Sequence, residues 1–159
     1  MKDSMCTTTK NSGGELPLEI SAWLDMARVG RVKVTSEDSR YPMGSAFEEG
    51  GQGWRAAESG KQTITIFLDK PRRIRRICLR FIELEVKRSQ KVSLHWSKGQ
   101  VNNLQLMVER WCSFDPAGST GKTLDYKVDL VGVRVLQLVI DPDIWRGRAV
   151  ASLASFRFA

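Results

Sequence analysis

Apolar and polar residues alternate at period two in run after run of this chain. That is the pattern of a strand with one face buried, and it leaves little room for a helical fold. In "QTITIFLD" Ile64, Ile66 and Leu68 share one face, and Thr63, Thr65 and Phe67 the other. In "KVSLHWS" Val92, Leu94 and Trp96 oppose Ser93, His95 and Ser97. "RVKVT" turns Val32 and Val34 inward, and "VRVLQLVID" does the same with Leu136, Leu138 and Ile140. "ASLASFRFA" closes the chain with Phe156 and Phe158 on the buried side. The stretches "FEEGGQG", "SKGQ", "DPAGSTGK" and "DPDIWRGR" punctuate these runs as turns. Only "EISAWLDMARVG" reads as a helix, and a short one. Strands separated by turns at this spacing predict an antiparallel sandwich or barrel.

The chain's 159 residues suffice for one domain with a real core. The opening residues, rich in Thr, Ser, Asn and Gly, read as a disordered lead over 1–14, followed by a single domain over 15–159. No apolar run reaches the roughly 20 residues of a membrane helix, and the start has no apolar signal segment. Cys6, Cys78 and Cys112 match no zinc or redox spacing. Cys78 and Cys112 fall in strand-like runs and read as buried free thiols. With the missing signal segment, this places the chain in the cytoplasm.

The net charge of +7 is local. Residues 70–91 hold nine Lys and Arg against Glu83 and Glu85, which accounts for the whole excess. The core of that segment is "PRRIRRICLR". Ile77, Leu79 and Phe81 alternate with Arg76, Cys78 and Arg80, so the arginines form the outer face of a wall strand. Their stems can lie over apolar neighbours, and their heads can pair with acids on adjacent strands. Arg72 and Arg73 fall in the turn, where they can reach a partner, while Arg76 and Arg80 lie flat on the sheet. The apolar phase then shifts to Ile82, Leu84 and Val86, which predicts a bulge near Phe81–Ile82.

Catalytic constellations are scarce. "GSTGKT" lacks the phosphate loop's first Gly, since Pro116 stands there, and strand-like residues follow it instead of a helix. His95 is the single histidine, so a two-histidine zinc centre is excluded. Glu48, Glu49, Asp141 and Asp143 lie in turns without a partner that would tune them for acid–base work. No enzyme activity, cofactor or metal is expected. Among five tryptophans, Trp96 belongs to the core pattern and Trp111 is ambiguous. Trp54 and Trp145 follow turns, where an exposed ring could stack on the apolar face of a sugar. The alternative is that they plug the ends of the sandwich.

The order of these signals resembles the discoidin-like family, also called coagulation factor C-type or galactose-binding-like domains. "VTSEDSRYPMGSAFEEGGQGWR" is similar to the family's first block: a strand, a Ser-rich stretch, an Ala-x-Asp-Gly turn and a Trp. "QTITIFLDKPRRIRRICLRF" resembles the next block through Leu68, Asp69, Ile74, Ile77 and Leu79. "VSLHWS", "VRVLQLVI" and "ASLASFRF" are similar to its later strands, so the resemblance covers about residues 16–159. It implies an all-β, eight-stranded antiparallel jelly roll that binds through loops at one end. The family's ligands are glycans, lipid head groups or proteins, and some relatives inside the cell bind damaged DNA. It implies no catalysis. The family's calcium turn has lost its Asp-Gly here, with Glu48 and Glu49 nearby, and Ser155 replaces the closing Glu, so no calcium is expected. The resemblance and the aromatic–basic pairs in turns point to a carbohydrate ligand held by Trp54, Arg55, Trp145 and Arg146, with His95 as a weaker candidate. The alternative partner is a protein, nucleic acid or other anion docked on Arg72, Arg73, Arg76 and Arg80.

Overall fold

The computed structural model describes residues 23–99, 101–145 and 147–159. The expected lead over 1–14 lies outside them. Eight strands follow in chain order: β1 (Gly30–Val34), β2 (Trp54–Ser59), β3 (Gln62–Ile82), β4 (Arg88–Ser97), β5 (Gln105–Phe114), β6 (Gly121–Asp141), β7 (Val150–Leu153) and β8 (Ser155–Phe158). Two single-turn helices accompany them, α1 (Met26–Val29) and α2 (Gly44–Phe47). No described helix is long and apolar enough to cross a membrane.

β3 and β6 each run 21 residues and pair antiparallel along most of their length. Their first contacts, Gln62 with Ile140 through Phe67 with Val135, lie in a sheet ordered β1-β3-β6-β4-β5. Their far halves, from Ile77 with Tyr126 to Ile82 with Gly121, continue beside β8. Between them the register slips three times, from Phe67 to Arg76. Gly132 supplies a positive φ of 75° on the opposing strand. These slips form a corner, and beyond it the same two strands build the opposite wall. Ile64, Ile66 and Leu68 on one side of the corner share a core with Ile74, Ile77, Leu79 and Phe81 on the other. The short β2–β7 pair forms a separate two-stranded sheet, with β7 packed against β3.

The expected inward faces of β1, β3, β4, β6 and β8 are those that bury. Three expectations need correction. The first concerns the phase change at "FIELEV", which is a strand end and not a bulge. β6 begins at Gly121, so Ile82 is the last residue with a partner on it. Past that point no sheet exists to cover Leu84, which is 67% exposed, or Val86. The second concerns Arg72 and Arg73, which are not free turn cations. Arg73 donates to both carboxylate oxygens of Asp129 at 2.6 and 2.8 Å, and Arg72 sits 3.4 Å from Asp69. Arg76 does the same to Asp125 at 2.9 and 2.7 Å. The third concerns Cys112, which is disulfide-bonded and not a free thiol. Cys78 is the free cysteine among those described. It is partly buried, and burial pushes its thiol up to about 11, so it stays protonated.

Candidate functional site

The two ends of the sandwich differ. One end gathers both chain termini of the described domain: Leu24 N–H donates to Phe158 C=O, and Arg75 and Arg76 N–H donate to Ala159 C=O. The other end gathers the loops at 35–53, 83–87, 115–120 and 142–149. A groove crosses this loop end.

The floor of the groove is built first. Gly53, at φ 81°, presses so close to Leu153 and Ala154 backbone that any side chain would collide with them. This lets the chain enter β2 with Trp54 turned inward. The Trp54 ring is 1% exposed, and its Nε1–H donates to Ser36 C=O at 3.1 Å. Trp54 therefore lines the groove only from beneath. Of the two readings the sequence left open, a stacking ring or a plug of the sandwich end, Trp54 takes the second, because the core beneath β2 needs that large apolar volume.

Arg55 points the opposite way, as period two requires, and is exposed. Its guanidinium lies over the Tyr41 ring, 5.0 Å from the centroid. Backbone bonds fix the pair: Asp38 N–H donates to Arg55 C=O at 2.8 Å, and Arg55 N–H donates to Tyr41 C=O at 3.1 Å. Asp38 accepts two side-chain bonds from Arg40, which hold its carboxyl at about 2.

Tyr41, Arg55, Ile82, Leu84, Glu85 and Ser152 line a recess of about 190 Å³. It continues into a second of about 180 Å³ bounded by Arg55, Glu85, Val86, Arg148 and Ser152. Both are smaller than the roughly 300–1,000 Å³ clefts that engulf a drug-sized ligand, so a guest would lie on this surface and not be enclosed. Apolar patches from Ile82 and Leu84 alternate with Arg55, Glu85, Ser152 and Arg148. Such a surface can cover one face of a small polar ring and bond its rim as donor and acceptor.

One buried cation holds both rims. Arg88, 1% exposed, donates to Glu83 at 2.7 Å in the 83–87 loop. Its Nη1 donates to Pro142 C=O at 2.7 Å in the 142–149 loop and to Gln90 Oε1 at 2.9 Å. Its plane stacks on Phe114. Burial alone would raise the Glu83 carboxyl; the Arg88 bond and the Glu85 and Val86 N–H groups outweigh it and hold it below the usual range. Arg88 stands in phase with Gln90, Val92 and Leu94, so the alternation marked it as inward-facing. Counting it among the basic residues of 70–91 hid that.

The remaining candidates scatter. Trp145 is 80% exposed on the same loop as Arg148, on a turn in which its N–H donates to Asp143 Oδ1 at 3.0 Å. Arg146 lies outside the described residues. His95 sits mid-strand on the outer face, opposite Leu106 and Gln137, away from the groove. Arg80 is exposed on the second wall. The sequence did not single out Tyr41, Arg148 or Ser152, and it assigned Leu84 to the core.

No family model matches the sequence, and no curated protein matches it. Solved structures do match in fold. The family 32 carbohydrate-binding module of NanJ from C. perfringens, solved with galactose, superposes with a TM-score of 0.61 at 17% identity. The match spans 86% of this chain and 96% of that one. A second C. perfringens family 32 module, solved with GalNAc-β-1,3-galactose, gives 0.60 at 21% identity over 86% and 98% of the two chains. A Ruminococcus gnavus family 29 fucosidase, solved with fucose, gives 0.68 at 14% identity over 88% of this chain and 28% of that one. The chain thus has the galactose-binding-like jelly roll of these modules.

Proposed function

We propose that this chain is a non-catalytic carbohydrate-binding module whose sugar lies in the groove between Tyr41–Arg55 and the 83–87 loop. The observation that carries this reading is the groove itself. Arg55, Glu85, Ser152 and Arg148 converge beside exposed Ile82 and Leu84 at the loop end of a fold shared with sugar-bound modules. A sugar presents equatorial or axial hydroxyls around an apolar ring face, which this alternation of surfaces suits. Trp145, on the loop beside Arg148, offers a further stacking ring from the rim.

Five of the nine cations in 70–91 already contact carboxylates: Arg72, Arg73, Arg76, Arg88 and Lys91, the last 2.9 Å from Glu109. The basic strand therefore offers far less charge to a partner than its composition implies. The disulfide at Cys112 favours an oxidising compartment over the cytoplasm expected from free thiols and the missing signal segment.

Titration calorimetry with galactose and N-acetylgalactosamine tests the reading. Binding is expected, with Arg55→Ala weakening it by about tenfold, the loss expected for one charge-assisted bond. The melting temperature should stay unchanged, because Arg55 is exposed. The reading fails if neither sugar binds at millimolar concentration.

A further inference from the structure

A further recess lies at the opposite end of the molecule from the groove. It measures about 670 Å³ and lies between α1, the start of β1 and the corner of β3 and β6. Arg28, Arg31 and Arg134 line it, with Phe67, Asp69 and Gly99. Its shape is fixed by backbone: Gly30 runs so close to the Phe67 carbonyl that a side chain there would collide with it. Among the described residues its charge is only partly compensated. Asp69 is the one carboxylate among the residues named, and Arg72 already holds it at 3.4 Å. Arg28 meets Asp25 only at 3.6 Å, with both side chains largely exposed. Arg31 is laid on the Phe67 ring at 4.4 Å, which fixes its plane without neutralising it. Lys98 adds a fourth cation close by, packed near Gly132 on the corner.

We propose that this cleft is a second binding site, which takes the carboxylate or sulfate groups of an acidic oligosaccharide. A guanidinium fork matches a planar carboxylate or a tetrahedral sulfate with two parallel bonds, and three forks around one concavity suit anions spaced along a short chain. The cleft does not suit nucleic acid. A single strand would need exposed rings for its bases, and the ring here, Phe67, is already covered by Arg31. This site is independent of the neutral-sugar groove, since the two lie at opposite ends and share no residue.

The test is titration of the whole chain with tetragalacturonate, which supplies carboxylates, and with a κ-carrageenan tetrasaccharide, which supplies sulfates. At least one should bind. Raising salt from about 0.01 to about 1 M, which shortens the screening length from about 30 to about 3 Å, should abolish that binding. The double variant Arg31→Ala/Arg134→Ala should lose about tenfold or more in affinity, while Arg55→Ala should leave it unchanged. Should the double variant not fold, Arg28→Glu reverses a largely exposed charge and should weaken binding in the same way. The proposal is overturned if neither tetrasaccharide binds. It is equally overturned if Arg55→Ala abolishes binding while Arg31→Ala/Arg134→Ala retains it, or if a single-stranded DNA oligonucleotide binds as tightly. Galactose binding, measured separately, decides the other site whichever way this one falls.

Discussion

Arg88 at the loop end and Arg73 at the strand corner make nearly the same bond. Arg88 meets Glu83 at 2.7 Å, and Arg73 meets Asp129 at 2.6 Å with a second contact at 2.8 Å. By geometry the corner pair is the better one. By solvent the order reverses. Arg88 is 1% exposed and Glu83 16%, whereas Arg73 and Asp129 are 51% and 58% exposed. Water competes for the corner pair at every moment and screens it, so its net worth is small. Around Arg88 water is excluded, and removing the guanidinium leaves a carboxylate and two acceptors without their donor. The two regions show that the distance of an ion pair says little until the solvent around it is known.

The largest effect that sharpens this contrast is Arg88→Ala. Breaking a buried pair by removing one partner costs about 3–5 kcal/mol. The lower end is expected, because Glu83 can turn partly to water. For a chain of this length, a loss of about 3 kcal/mol lowers the melting temperature by roughly 6–12 °C. Sugar binding should fall with it even at temperatures where the fold persists, since Arg88 ties the 83–87 loop to Pro142. If the melting temperature moves by no more than it does in Arg73→Ala, the claim that burial governs the two pairs is wrong.

Acid sharpens the contrast further. The folded Glu83 carboxyl sits below its ordinary 4.5. A depressed carboxylate contributes stability above its unfolded value, and the contribution is lost as pH falls through the folded value. The melting temperature of the wild type should therefore decline more steeply below about pH 4.5 than that of Glu83→Gln. Thermal melts at stepped pH values read this directly. Parallel acid limbs in the two proteins would mean that Glu83 carries no linked proton.

What the sequence revealed and what it concealed follow from the same physics. The inward faces of β3, β4, β6 and β8 were legible because a buried sheet face imposes period two on its residues. Arg88 was legible by phase, since it keeps step with Val92 and Leu94, but its charge suggested solvent. Leu84 and Val86 were not legible. Their alternation continues past Ile82, yet a strand buries a face only where a neighbour covers it, and β6 starts at Gly121. Trp54 also deceived: the Gly-rich turn before it looked open, but Gly53 uses its freedom to pack the backbone tightly and turn the ring inward. The acids that hold the corner arginines, Asp125 and Asp129, lie about 50 residues away in sequence, beyond the reach of any local pattern. The groove is likewise a product of four loops meeting, so Arg55 was visible alone while Tyr41, Arg148 and Ser152 were not.

The smallest effect is the one that most directly tests the exposed half of the contrast. Arg73→Ala removes two short bonds to Asp129, whose carboxyl those bonds hold below its usual value. Both groups are solvated, so the loss should stay within about 1 kcal/mol and shrink further in high salt. The same substitution frees Asp129 at the corner without adding a cation to the arginine cleft, so tetragalacturonate affinity should change less than it does in Arg31→Ala/Arg134→Ala. Chemical denaturation at low and high salt, run beside that titration, measures both quantities. A loss as large as that of Arg88→Ala, unchanged by salt, would show that the corner pair is shielded from solvent during the protein's motions despite its exposure in the folded structure.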